Sequence, residues 1–163
     1  MSIIDQFMGR EAGVLIQFIK YGVCGVAATS VHIVLFHLLA WRMFPALQEN
    51  DWAVKLFRLT VRAVDDAVRS RNSMINNVIT FVFSNLVAYI LNILWVFERG
   101  RHNLIIELIL FYLVSGVSLA ASTPIMGYLI KRFGVRTTYA FGACIVVSVM
   151  VNFVLRKFVI FAG

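Results

Sequence analysis

The chain has 163 residues, of which 61% are hydrophobic and 13% aromatic, and its Lys+Arg outnumber Asp+Glu by 15 to 8. A water-soluble domain of this size is roughly 45–50% apolar, so the excess has to face something other than water. It is gathered in runs, whereas soluble surface helices carry it in 3.6-residue stripes. The basic balance comes with no basic helix or nucleic-acid-binding signature, which argues against nucleic acid as a partner. Charges beside apolar runs instead meet the headgroups of membrane lipids or set topology.

In chain order, the first ten residues place Ile3, Ile4, Phe7 and Met8 on one helical face and Asp5, Gln6 and Arg10 elsewhere, the spacing of a short interfacial helix. The first apolar run, Val14 to Trp41, is interrupted by Lys20. It begins too late and is too long for a cleavable signal peptide, so it is expected to stay in the mature chain. The connection Arg42 to Ser73 opens with a Pro45 turn and the polar Gln48-Glu49-Asn50-Asp51. From Trp52 to Arg71 it reads as an amphipathic helix with Trp52, Leu56, Leu59, Ala63 and Ala67 near one face.

Three further runs follow: Met74 to Phe97 without a charge, Leu104 to Ile130 with Glu107 near its start, and Thr137 to Phe161, uncharged until Arg156. Crossing the hydrocarbon core takes about 20 helical residues, and only helices or closed barrels satisfy their own backbone there. The expected fold is all-α and integral to the membrane, with four transmembrane helices over about 14–41, 74–97, 104–130 and 137–161, plus amphipathic interfacial helices. Cys24 and Cys144 lie inside runs, where free cysteine behaves as a small hydrophobe, so no disulfide framework is expected.

The runs repeat. Phe18 to Thr29 lies over Phe111 to Ser122 at an offset of 93, and Ala88 to Phe97 lies over Asn152 to Phe161 at an offset of 64. The two offsets differ by about the excess length of the first connection, so the unit is a helical hairpin, about 14–101 and again about 104–161, within a single domain. An even number of spans per unit makes both copies enter the membrane from the same side.

The opening Phe18-x3-Gly22-x2-Gly25 with Ala28-Thr29 and His32, and the hairpin ends Asn92-Ile-Leu-Trp95-Val96-Phe97 and Asn152-Phe153-x7-Phe161, resemble the GtrA-like family over nearly the whole chain. Members often carry basic residues directly after the first-repeat asparagine, where this chain has Ile93 and Leu94. The resemblance implies a small four-span protein of cell-surface polysaccharide synthesis in the bacterial cytoplasmic membrane, with cytoplasmic termini. It also implies an activity: moving a polyprenyl-phosphate-linked sugar, such as undecaprenyl-phosphate glucose, across the bilayer to supply a glycosyltransferase. Charge counting leans the other way on topology. Arg10, Lys20, Arg99, Arg101, Arg156 and Lys157 fall on the side of the termini, against nine basic residues opposite.

A lipid-linked sugar phosphate offers a negative charge, hydroxyls and a long apolar tail, and so asks for cations, amides and a lipid-facing cleft. Arg156, Lys157, Arg99 and Arg101 cluster at the hairpin ends, and Lys20 interrupts the first span. Asn92 and Asn152 fall on the end motifs, where an intramembrane amide serves either a partner helix or a ligand. His32 reads either as a packed, hydrogen-bonded histidine or as a polar group in the cleft.

Gly22, Gly25 and Gly116 have the spacing of close helix packing, and Pro124 is expected to kink its span. Trp95 and Phe97 suit an interfacial aromatic belt. No nucleotide-binding loop, catalytic pair or metal-ligand spacing occurs, so the chain reads as neither an enzyme nor a cofactor binder. Two other readings stay open. One is a scaffold or regulator of a partner glycosyltransferase; the other, a small multidrug-type exporter, is disfavoured because the only acid within a run is Glu107 at its edge. Membrane lipids and glycosyltransferases of the same pathway are the expected partners, with a homo-oligomer left open.

Overall fold

The computed structural model describes residues 3–9, 12–96 and 104–155. The described chain runs α1 (Ile3–Met8), α2 (Val14–Arg42), α3 (Trp52–Phe57), α4 (Asp66–Leu91), a π-helical turn (Asn92–Val96) continuing α4, α5 (Leu104–Phe133) and α6 (Thr137–Leu155). Segments Leu15–Arg42, Asp66–Val96 and Leu104–Phe133 are long and apolar enough to cross a membrane, and α6 contributes a shorter apolar stretch, Thr137–Ser148. The protein is an all-helical, multi-pass membrane protein. Cys24 and Cys144 are buried free thiols.

The ends of these helices follow from local chemistry. At the end of α2 the Met43 N–H still reaches the Leu39 carbonyl at 2.9 Å, and Pro45 then prevents continuation. α5 ends at Gly134, whose φ of 62° is a left-handed conformation that favours glycine. Its N–H bonds the Ile130 carbonyl at 3.0 Å and that of Val135 bonds Leu129 at 3.4 Å, which satisfies two of the helix's last carbonyls.

The amphipathic helix expected over 52–71 does not form as one piece. α3 stops at Arg58, which takes the left-handed conformation (φ 49°, ψ 46°), and Leu59 turns back to donate to the Val54 carbonyl at 3.0 Å. A new helix starts where the Asp65 carboxylate accepts the Val68 N–H at 2.9 Å, an N-cap. α4 therefore begins eight residues ahead of the apolar run at Met74. Its first turns are polar and buried all the same: Arg69, Ser70, Asn72 and Ser73 face inward.

α4 is the centre of the bundle, packed on α2 on one side and α5 on the other, and α5 packs on α6. α2 presents Lys20, Cys24, Ala28, Phe36 and Ala40 to the interior, a stripe with a four-residue step. One apolar cluster joins Phe36 and Ala40 to Met126 and Ile130 of α5 and to Ala140, Phe141 and Cys144 of α6, with the Phe36 and Phe141 rings stacked 3.8 Å apart. Ala46, Leu47 and Val54 extend it into the first connection.

That connection is tied down by polar contacts. Asn72 and Asn76 donate to the Pro45 and Phe44 carbonyls at 2.8 and 2.9 Å. The buried Asp51 carboxylate accepts the Gln48 N–H at 2.9 Å and the Thr138 N–H at 3.0 Å, which caps the start of α6. Thr137 donates its hydroxyl proton to the Ala46 carbonyl. The connection thus seals its end of the bundle.

Candidate functional site

The outer surface of the bundle is apolar, with Leu15, Phe18, Val26, Leu113 and Val117 all more than half exposed. The inner face of α4 is the reverse. Arg69, Ser73, Asn76, Asn77, Thr80, Ser84, Asn85 and Asn92 are all buried and recur at helical spacing. Lipid cannot hydrogen-bond an amide, so a spanning helix with this composition has to turn its polar stripe toward protein. At 1.5 Å per residue the stripe from Arg69 to Asn92 is about 35 Å long, enough to traverse the hydrocarbon core.

Part of the seam is paired across helices. His32 of α2 contacts Ser84 Oγ through Nδ1 at 2.9 Å, and through Nε2 it contacts Asn77 Oδ1 at 3.0 Å and Thr80 Oγ1 at 3.1 Å. The Asn77 amide donates onward to Thr123 Oγ1 of α5 at 2.8 Å and to Cys144 Sγ of α6 at 3.6 Å. One side chain thereby links all four long helices. Other polar atoms are buried with no partner among the described residues: Asn85 Nδ2, Asn92 Oδ1 and Ser118 Oγ, besides Arg69 Nε, Ser73 Oγ and Asn76 Oδ1. A buried group left unpaired costs on the order of 1–3 kcal/mol, so each of these atoms calls for a partner outside the described residues.

At the end nearer the N-terminus, α4 passes into the π-helical turn Asn92–Val96, an irregularity frequent at functional sites. Lys20 is fully buried there; its amine donates to the Gly9 carbonyl and lies 5.6 Å from the centre of the Trp95 ring. The Trp95 indole donates to the Phe7 carbonyl at 2.8 Å, and Gln17 donates to the Val96 carbonyl at 3.1 Å. Asn92 spends its amide on the Ala88 carbonyl at 2.7 Å, leaving the orphaned oxygen.

The structure therefore gathers Lys20, Asn92 and Trp95 on two packed elements, α2 and the π-helical turn, and sets His32 deeper, in the paired network. Asn152 stands on α6. Phe97, Arg99, Arg101, Arg156 and Lys157 lie outside the described residues. Pro124 stands inside α5 next to the buried Thr123.

The glycines expected to bring helices together do not do so within this chain. A Cβ built on Gly22, Gly25 or Gly116 meets nothing within 4 Å, because all three point away from the packed faces. Gly116 instead borders an open apolar groove with Leu108, Ile109, Tyr112, Leu113 and Val117. The close approach is at Gly127, where a Cβ would come within 2.5 Å of Met74 Sδ, and whose carbonyl accepts from Ser70 Oγ at 2.7 Å. Sequence reasoning also passed over Arg69. Its guanidinium donates to the Val135 carbonyl at 2.8 Å and pairs with Asp66 at 2.7 Å, so it staples the start of α4 to the α5–α6 turn. The signal was present as a basic residue at i+3 from an acid in a polar stretch.

Apolar residues outside and a buried polar face inside define a multi-pass membrane bundle whose polar side chains are turned to its interior. The chain belongs to the GtrA/DPMS transmembrane family: the model of the GtrA/DPMS transmembrane domain matches residues 20–161. No curated protein and no solved structure matches the chain significantly.

Proposed function

We propose that this protein moves a polyprenyl-phosphate-linked monosaccharide, such as undecaprenyl-phosphate glucose, between the leaflets of a bacterial cytoplasmic membrane. The lipid then supplies a glycosyltransferase on the far side. The observation that carries the reading is the buried polar face of α4 from Arg69 to Asn92, long enough to cross the hydrocarbon core. A sugar phosphate cannot pass through hydrocarbon unaccompanied, and a helix that lines its inner side with amides and hydroxyls replaces the lost water contacts. The unpartnered atoms of Asn85, Asn92 and Ser118 are available for that exchange, and the tail remains in lipid along the groove beside Gly116.

In this reading Lys20 meets the phosphate at the end of the seam nearer the N-terminus, Asn92 and Asn152 bind phosphate or sugar oxygens, and Arg99, Arg101, Arg156 and Lys157 add positive charge at the hairpin ends. A four-span topology with cytoplasmic termini puts that end at the leaflet where the donor is made.

The test is reconstitution of the full chain into liposomes containing a labelled polyprenyl-phosphate sugar. Transfer between leaflets above protein-free vesicles supports the reading, and its absence in folded, inserted protein favours a scaffold for a glycosyltransferase. Arg156→Ala and Asn92→Ala are expected to cut transport with insertion intact. Lys20→Met removes a charged hydrogen-bond donor and should weaken binding by about ten- to a hundredfold.

A further inference from the structure

Helix α1 holds a position that the proposed function does not explain. Six residues make a helix too short to persist alone in water. It is retained by its last carbonyls: Phe7 O accepts the Trp95 indole at 2.8 Å and Gly9 O accepts the Lys20 ammonium. The Phe7 ring meets the Trp95 ring edge-on at 5.3 Å, and Gly13 N–H bonds Gln6 Oε1 at 3.1 Å, which folds the segment back on itself. Meanwhile α1 exposes Ile4 and Met8, at 71% and 77%, on the side away from these contacts.

The carbonyls at a helix C-terminus are unsatisfied acceptors carrying a partial negative charge. Here they occupy a fully buried ammonium and an indole N–H, two donors that suit a phosphate, and the π-helical turn beside them keeps the buried, unpartnered Asn92 oxygen. We propose that α1 is a lid whose C-terminal carbonyls stand in for the phosphate of the lipid substrate, closing the Lys20–Trp95 end of the seam when it is empty and leaving when the phosphate arrives. The inference rests on the polyprenyl-phosphate reading above. Exchange is favourable because a phosphate brings a full negative charge to the buried ammonium, where a carbonyl brings only a dipole. The displaced helix is amphipathic and has the bilayer interface to lie on, Ile4 and Met8 inward.

The experiment places spin labels at Met8→Cys and Leu94→Cys, both exposed positions, in the full chain with Cys24→Ala and Cys144→Ala, in lipid nanodiscs. The probes are a long-chain polyprenyl phosphate and, as control, the uncharged polyprenol. The expected result is a longer, broader distance distribution with the phosphate and no change with the alcohol. Phe7→Ala with Gln6→Ala, which loosens the lid without touching Lys20 or Asn92, should lower the half-saturating phosphate concentration several-fold.

An unchanged distribution at saturating phosphate, in protein that transports the sugar lipid, overturns the lid and leaves the transport reading standing. An equal shift with polyprenol also overturns it, since the competition is for charge. Displacement of α1 by the phosphate in protein that transports nothing upholds the lid and sinks the transport reading instead.

Discussion

Asn77 and Ser118 show how differently two buried polar side chains of one bundle behave. Asn77 is bonded to His32, Thr123 and Cys144, so Asn77→Ala strands partners on three helices. The expected loss is on the order of 1–3 kcal/mol, read as a lowered midpoint of thermal unfolding in detergent micelles. Ser118 is 1% exposed and its hydroxyl has no partner among the described residues. Ser118→Ala removes no bond and should leave the midpoint unchanged or raised, while transport of a lipid-linked sugar in proteoliposomes falls. A fall in stability with unchanged transport would reverse the assignment of Ser118 to the seam.

Among the individual residues, the sequence singles out Lys20 because a lone lysine breaks an otherwise apolar run, and Asn92 because it sits on a hairpin-end motif; the structure shows both buried. What could not be read was their company. Lys20 meets Gly9 and Trp95 only through a turn in the chain and the pairing of α2 with the end of α4, contacts that no periodicity encodes.

At the level of the helices, hydropathy located those whose outer faces are apolar and mislaid the start of the one that is polar within. α2 begins where its run begins, at Val14, and α5 is helical from Leu104, the first described residue of its run. α4 begins at Asp66, since its first two turns carry polar groups into protein and contribute nothing to a hydropathy signal. The helix expected over 52–71 failed for a related reason: apolar spacing continues across Arg58, but a left-handed residue and the cap at Asp65 break the axis.

Small residues misled in the same way, since spacing reports which glycines share a face but not what faces them. Gly22→Ala and Gly25→Ala place a methyl in open space and should be neutral, or stabilising by up to about 1 kcal/mol through helix propensity. Gly127→Leu drives a branched side chain into Met74 at the α4–α5 crossing and should lower the unfolding midpoint clearly. Thermal unfolding of the three variants side by side checks the contrast.

For the whole molecule, the two ends of the bundle are held differently. One end is sealed by the connection, through Asp51, Asn72, Asn76 and an apolar cluster reaching from Phe36 to Val54. The other is covered by α1, held to Trp95 and Lys20 by two carbonyls. Asp51→Ala removes the cap of α6 and an anchor of the connection. Trypsin is then expected to cut at the exposed Arg58 and Arg62 faster than in the parent protein, with little change at the N-terminus. The docked connection had no signature beyond polar residues and one proline, because each of its polar anchors pairs a side chain with a backbone N–H or carbonyl, groups that every sequence has.

The inverted polarity of α4 also bears on how the chain enters the membrane during synthesis. A segment bearing Arg69, three serines and a succession of asparagines partitions into lipid less favourably than α2 or α5, each such group being stabilised once a partner helix is beside it. α2 and α5 are free of that handicap on their outer faces. α4 is therefore expected to wait at the translocon, or in its vicinity, until α2 or α5 can shield its inner face. A chain truncated after residue 103 would retain α2 as its only long neighbour, and glycosylation-site reporters placed past Val96 should show whether that one helix suffices to hold α4 across the bilayer.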